Sequence, residues 1–423
     1  QARSIVRDRA QLCQRESIQL NELTQLFSTQ TSPFFCGMRH PVPYVAQQLL
    51  CAAQYVFPQE SDWMPSCVEQ LHRDGHAYLS LRFSQNVGLD VVSQANQEDD
   101  DEIDVLGIQQ ITFRGNTSAL LIDTRGTSWI WEETNTFAEY TDAIAVTRIE
   151  GTTGKLIGRR QPEILLDEQA VDYELVTWSP SQATTIRTVN QDSIFAFSGD
   201  GNRLAIGSVE WTVALWDFKQ QQFIEIQGDV NIPSYQKGPA AIAVDSKGET
   251  VFFSMQDSAK IDKWVVGQSL EGFNNDNDRE ITVMLCSQDG SLLVSGTDDG
   301  KVTIWETKTN ARMKVLKGHQ KKITGIAISR DKTLIVTASF DGTIRVWDWQ
   351  GIYPHIVDVQ SILEGEDSSK EDGSLSSPTS CQIAHVSIAT QISAIDVSPN
   401  GSRIAAGDKE GNVFVWDLIL PNP

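Results

Sequence analysis

Three groupings of residues in this sequence have the types and spacing that chemistry could use. Gly151-Thr152-Thr153-Gly154-Lys155-Leu156 has the glycines and lysine of a phosphate-binding loop, whose backbone amides cradle phosphates. It lacks the first glycine at the needed distance and a Ser or Thr after the lysine, so it reads as a hairpin turn. Cys36, His40, Cys67, His72 and His76 put zinc-ligand side chains into one short region. Zinc–thiolate sites use tighter pairs such as Cys-x-x-Cys, and these five read instead as buried cysteines and surface histidines. His319 and Asp341 offer an acid–base pair. No nucleophile elbow or dinucleotide fingerprint occurs. The chain is therefore expected not to be an enzyme, with no catalytic residue, metal or cofactor.

The elements that must hold such residues are set by length and composition. The chain has 423 residues, 34 Lys plus Arg against 56 Asp plus Glu, and a net charge of -22. That length suits one large repeat architecture or two to three domains. An apolar share of 40% with 21% charged residues is that of a globular protein. The acidity argues against a general grip on nucleic-acid phosphates or an anionic membrane surface. No run approaches the roughly 18 apolar residues of a membrane span. Arg3, Arg7, Arg9 and Arg15 break up the first stretch, which does not read as a secretory signal. Six cysteines make no disulfide framework, so a reducing, intracellular compartment is expected, cytoplasm or nucleus. The sequons at Asn116 and Asn400 are read as chance triplets. A first residue of Gln1 suggests a fragment or a processed product.

Three stretches align with one another: ITVMLCSQDGSLLVSGTDDGKVTIWE (281–306), ITGIAISRDKTLIVTASFDGTIRVWD (323–348) and ISAIDVSPNGSRIAAGDKEGNVFVWD (392–417). Each has an alternating apolar run, a polar turn, a second apolar run, an acidic-Gly turn and a third run ending in Trp. Alternation between turn signals predicts half-buried antiparallel strands, three before the Trp-containing end and a fourth after it, such as Arg312 to Leu316. Used as an anchor, the Trp recurs at Trp131, Trp178, Trp216, Trp264, Trp305, Trp347 and Trp416. Six residues before these stand Arg125, Asp172, Glu210, Ser258, Asp299, Asp341 and Glu410. Acidic residues predominate there, as a hairpin turn capped by a carboxylate prefers.

On these motifs the sequence resembles the WD-repeat β-propeller family over roughly residues 105–417. The resemblance implies an all-β, seven-bladed propeller of four-stranded antiparallel blades. The stretch from Gly318 to Asp348 carries the fullest signature: Gly318-His319, Ser339, Asp341-Gly342 and Trp347-Asp348. In the family such side chains form a buried hydrogen-bonded set, which here would be His319, Ser339, Asp341 and Trp347. That makes His319 structural and not catalytic. The other repeats depart from this pattern. His319 is the only histidine in a Gly-His pair, and Trp-Asp stands only at Trp216, Trp347 and Trp416.

After Trp416 too few residues remain for a fourth strand, so an earlier segment must supply it. Residues 77–83 and 87–92 are the candidates, and the propeller domain is taken as 76–423, closed by a strand from about 77–92. Closure removes the exposed sheet edge. Residues 1–75 carry apolar residues at helical spacing and read as a short α-helical N-terminal extension. Residues 97–104 and an acidic insertion at about 359–381 read as disordered, the latter explaining the long interval before Trp416.

What remains is surface. Lys301, Lys308, Arg312, Lys314, Lys317, Lys321, Lys322, Arg330, Lys332 and Arg345 face only Glu306, Asp331 and Asp341 in the same stretch. Arg330 and Lys332 belong on the face opposite Lys321 and Lys322, so no one partner touches them all. Phe340 precedes the turn aspartate, and Trp211 replaces the glycine after Glu210; both belong on the loop-rich face. Phe340, Trp211, Lys317, Lys321, Lys322 and Lys301 are the candidate partner-binding residues. The function expected is a non-catalytic scaffold holding other proteins in a larger complex, without membrane insertion. The alternatives are a C-terminal sensor propeller of a multidomain signalling protein, and a nucleic-acid-associated subunit using the basic sector.

Overall fold

The computed structural model describes residues 77–86, 107–113, 115–123, 128–132, 137–141, 145–149, 156–160, 173–179, 182–189, 193–208, 212–225, 238–268, 270–273, 279–353, 381–388 and 390–421. The expected helices of 1–75, the zinc-type residues, Gly151 to Lys155, Trp211, residues 87–104 and nearly all of the 359–381 insertion lie outside them.

Every regular element described is a β-strand. β1 is Tyr78–Asn86. A first sheet has the order β2 (Ile108–Phe113), β3 (Ser118–Asp123), β4 (Ser128–Glu132), β5 (Phe137–Thr141). A second follows with β6 (Ala145–Ile149), β7 (Leu156–Arg160), β8 (Tyr173–Ser179) and β9 (Gln182–Val189). The third holds β10 (Ile194–Phe197), β11 (Arg203–Ser208), β12 (Thr212–Asp217) and β13 (Gln222–Glu225). The fourth is β14 (Pro239–Val244), β15 (Thr250–Met255), β16 (Ile261–Val265) and β17 (Leu270–Phe273). The fifth is β18 (Ile281–Cys286), β19 (Leu292–Thr297), β20 (Val302–Glu306) and β21 (Ala311–Leu316). The chain continues through β22 (Ile323–Ile328), β23 (Leu334–Ser339), β24 (Thr343–Asp348) and β25 (Gln382–Ser387). It ends with β26 (Ile392–Val397), β27 (Arg403–Asp408) and β28 (Asn412–Ile419). These are four-stranded antiparallel sheets of the kind propeller blades are made of, and each anchoring Trp falls on the third strand of its run.

The strands divide between two compact units. The smaller comprises Gln1–Ser84, Ile344–Ser387 and Val415–Pro423; the larger comprises Gln85–Thr343 and Ile388–Phe414. In the smaller unit β1 lies beside β28, and β24 beside β25. Arg82 donates to Asp417 at 3.1 Å, an ion pair between β1 and β28. Arg345 Nη1 donates to Gln382 Oε1 at 2.6 Å, joining β24 to β25.

The larger unit holds the first five sheets together with the antiparallel pairs β22–β23 and β26–β27. Its second strands are not half-buried as alternation suggested: β19 and β23 are buried at every residue. Both faces of each such strand are covered by neighbouring sheets, so near-continuous apolar or small residues are needed there. The outer strands carry the exposure, as in β21 and β13. Between the fourth and fifth sheets the core is Ala241, Ala243, Phe252, Ile261, Phe273, Ile281, Met284, Leu293 and Trp305. Phe273 meets Trp305 edge-on, ring centres 5.4 Å apart.

Several first strands carry a bulge at their second residue. Register shifts occur between Ile281 and Val283, Ile323 and Gly325, and Ile392 and Ala394. The residue displaced by each bulge re-aims a hydroxyl at the next first strand. Thr282 donates to the Ile323 carbonyl at 2.7 Å, Thr324 to that of Ile392 at 2.7 Å, and Ser393 to that of Ile108 at 2.6 Å. At the corresponding bulge of β14 stands Ala240, which has no hydroxyl to give.

Candidate functional site

The turn between β23 and β24 is built around His319. Its side chain is fully buried, and Nδ1 lies 3.0 Å from Asp341 Oδ2 while Nε2 lies 2.8 Å from Thr337 Oγ1. An ionised carboxylate only accepts, so Nδ1 carries the proton toward Asp341. Asp341 also accepts from the Gln320 amide at 3.0 Å, the Thr343 amide at 2.9 Å and the Thr343 hydroxyl at 2.6 Å. Burial alone would raise the Asp341 pKa. The hydrogen bond and charge of His319, with the bonds from Thr343 and Gln320, outweigh it and hold the carboxyl well below its ordinary range.

Ser339 meets this set at the Asp341 amide and not at His319; the hydroxyls facing His319 are those of Thr337 at Nε2 and Thr343 at Nδ1. Ser339 sits at the strand end, where it donates to the Lys321 carbonyl at 2.9 Å and accepts from the Asp341 amide at 3.1 Å. It fastens the incoming loop to the turn. Trp347 is buried on β24. Gly342 has φ +78°, and a Cβ there would stand 2.6 Å from the Ile388 carbonyl oxygen. Any side chain would both strain the turn and push away the loop before β26.

The equivalent turns vary. In the fifth sheet Thr297 Oγ1 donates to Asp299 at 2.5 Å, and Trp305 Nε1 donates to Ser295 Oγ at 2.9 Å. Between β27 and β28 the expected carboxylate, Glu410, does not cap the turn. Asp408 does so, accepting from the amides of Glu410 and Asn412 at 2.9 and 2.8 Å and from Asn412 Nδ2 at 2.7 Å. Thr390 donates to it as well.

Around this buried frame lie the candidate contact residues. Lys317, Lys321 and Lys322 are exposed, while Lys301 and Phe340 are half-buried. The loop carrying Lys321 packs on the turn before Lys301: a Cβ on Gly300 would be 2.5 Å from the His319 carbonyl oxygen. Phe340 is not a bare aromatic, because Lys409 Nζ stands 4.6 Å from its ring centre. At the opposite strand ends, Lys332 Nζ donates to Asp289 at 2.6 Å and to Ser291 at 3.0 Å. The basic run of the sequence is thus divided between the two ends, and Lys332 serves a contact between neighbouring turns.

A cavity of about 710 Å³ is lined by the first strands β2, β10, β14, β18, β22 and β26. In its wall Asp396 Oδ2 accepts from the Phe113 amide at 2.7 Å. Cys286 also lines it, with a thiol pKa raised by burial and by the Asp245 carboxylate, which leaves it a poor nucleophile. Among the described residues no three His, Cys, Asp or Glu side chains gather as a metal site needs. No helix among them is long and apolar enough to cross a membrane.

Four-stranded antiparallel sheets with a Trp on each third strand define a repeat architecture among the described residues. The family described as WD domain, G-beta repeat matches residues 267–306, 310–348 and 377–417. The match at 310–348 takes the outer strand β21 of one sheet and the first three strands of the next run, so the repeat and the sheet are offset by one strand. These three stretches are WD40 repeats. No curated protein matches the chain. WD40 repeats are generally protein-interaction scaffolds and typically non-catalytic.

Proposed function

We propose that this chain is a non-catalytic scaffold subunit, a seven-bladed propeller that holds other proteins in a multiprotein complex. Twenty-eight described strands divide as four to each of seven anchoring tryptophans, which supports the blade count. The neighbouring β1 and β28, tied by Arg82 and Asp417, support closure of the ring by the N-terminal strand.

The observation that carries the reading is the loop-rich end around His319. A buried polar set fixes the turn, and Lys321, Lys322 and Phe340 project from that fixed frame. Contact residues held in advance lose little entropy on binding. His319 cannot act as an acid–base catalyst on an outside substrate, because its side chain has no exposure. Lys301, Lys317 and Trp211 are included in the proposed contact surface on their place in the repeat.

The test is purification of the tagged full chain from its own cells, as wild type, as Lys321→Glu with Lys322→Glu, and as Lys308→Glu on the opposite strand ends. A fixed set of proteins is expected with wild type and Lys308→Glu and is expected to be depleted from the double variant. An unchanged set in the double variant, or none with wild type, contradicts the reading.

A further inference from the structure

One backbone hydrogen bond recurs at the loop-rich end of the larger unit and places side chains in pairs. The first residue of each turn between second and third strands donates its amide to the residue just before the first strand. Gln256 donates to Gly238 at 3.2 Å, Asp298 to Glu280 at 3.1 Å, Phe340 to Lys322 at 2.9 Å and Lys409 to Gln391 at 3.0 Å. In chain order the pairs read neutral, acidic, basic with aromatic, and basic. Lys409 over the Phe340 ring joins the last two pairs into one patch. Lys321, beside Lys322, extends it.

The lysines of this patch are available. Lys321, Lys322 and Lys409 are exposed, and neither Lys321 nor Lys322 has a carboxylate partner among the described residues. The contact with Phe340 holds Lys409 in place, so its charge is presented with less side-chain entropy left to lose. On one flank the patch stops at Glu280 and Asp298. Arg279 does not neutralise that edge, since its guanidinium lies toward Asp299, 3.9 Å away.

Resting on the reading of this end as the partner-binding end, we propose that the patch receives a short acidic segment of a partner protein. Its carboxylates lie over Lys321, Lys322 and Lys409, and an apolar side chain packs on the exposed part of Phe340. Glu280 and Asp298 limit its length by repelling a further acidic residue. The same edge favours a peptide over a nucleic acid, whose phosphates continue at every nucleotide and would run onto the two carboxylates. The chain's net charge of -22 opposes a long polyanion further.

The test uses the full chain and two fluorescent probes: a five-residue peptide Glu-Glu-Leu-Glu-Glu and an oligothymidylate. The peptide is expected to bind, with affinity falling about tenfold between roughly 50 and 300 mM salt. Lys321→Glu with Lys322→Glu is expected to lower its affinity by at least about tenfold. Glu280→Gln with Asp298→Asn is expected to raise it by about two- to threefold. The opposite sign of the second variant separates recognition from damage to the fold, and equal melting temperatures confirm it. Peptide binding indifferent to both variants, no peptide binding, or retention of the oligonucleotide in its place overturns the inference. Proteins that still co-purify through this end while the peptide fails would sink the acidic partner and leave the scaffold standing.

Discussion

Trp264 and Trp305 hold the same place in adjacent sheets, yet their surroundings are opposite in kind. Trp305 donates to Ser295 on the second strand. Trp264 is equally buried, and its Nε1 finds no partner among the described residues. The register gives the reason: Trp305 pairs with Leu293 and Trp264 with Val251, so Phe253 stands where Ser295 does. Trp264 instead packs with Phe253, Met255, Val251 and Leu215. Nor does the turn of the fourth sheet use glycine: Ser258 stands where Gly300 does, and the positive φ falls one residue earlier, on Asp257 at +59°. Packing therefore holds Trp264 without a polar partner among the described residues, while the turn beyond it keeps local bonds such as that of Ser254 Oγ to the Ser258 carbonyl at 3.3 Å. The polar set of Thr337, His319, Asp341 and Thr343 fixes where the turn and its loop lie. That distinction matters most where the loop has a surface to present.

Substitutions on the two sides should separate these roles. Phe253→Ser is expected to be the most damaging, costing about 3–5 kcal/mol in urea unfolding through the cavity it leaves. The new hydroxyl beside Trp264 would return only about 1 kcal/mol. A cost under about 1 kcal/mol would place the polar partner on a par with packing.

Asp341→Asn should cost about 2–3 kcal/mol, because it weakens charge-assisted bonds from His319 and Thr343. Its pH dependence has a definite sign. The folded Asp341 pKa is depressed, so its contribution is fully present well above the ordinary carboxyl value of 3.8 and is lost as pH falls through and below it. The gap between wild type and Asp341→Asn is expected to shrink on acidification. A gap that widens contradicts the assignment of an ionised Asp341. Smallest of the three is Ser295→Ala, which strands Trp305 Nε1 and should cost about 1–2 kcal/mol. The same measurement at zero cost would make the fifth sheet indistinguishable from the fourth.

The sequence made the order of strands and turns visible wherever a Trp closed an alternating run. It was less informative about which hydroxyl meets the histidine. Thr337 and Ser339 are two residues apart and share a strand face, so period two does not choose between them. The loop carbonyl of Lys321 captures Ser339 and leaves Thr337 for His319, and that loop position is a tertiary fact. Counting back from Trp416 selects Glu410, whereas Asp408, at the end of β27, makes the bonds. Some missed features were in plain view. Thr282, Thr324 and Ser393 stand second in the three aligned stretches, a shared hydroxyl whose use emerged only with the bulges. Full burial of β19 and β23 was hidden for another reason: small residues such as Ser295 and Gly296 mimic the polar half of an alternating strand. The division of the basic run was legible, because Lys321 and Lys322 precede the strand Ile323–Ile328 and Arg330 and Lys332 follow it.

The scaffold reading places partner contact at the end bearing Gln320 and away from the end bearing Arg330, both of which are exposed. A photo-crosslinking residue at each position in turn, in the full chain within its own cells, tests this directly. A discrete crosslinked partner is expected from position 320 and none from position 330. The reverse pattern, or equal crosslinking at both, would contradict the account.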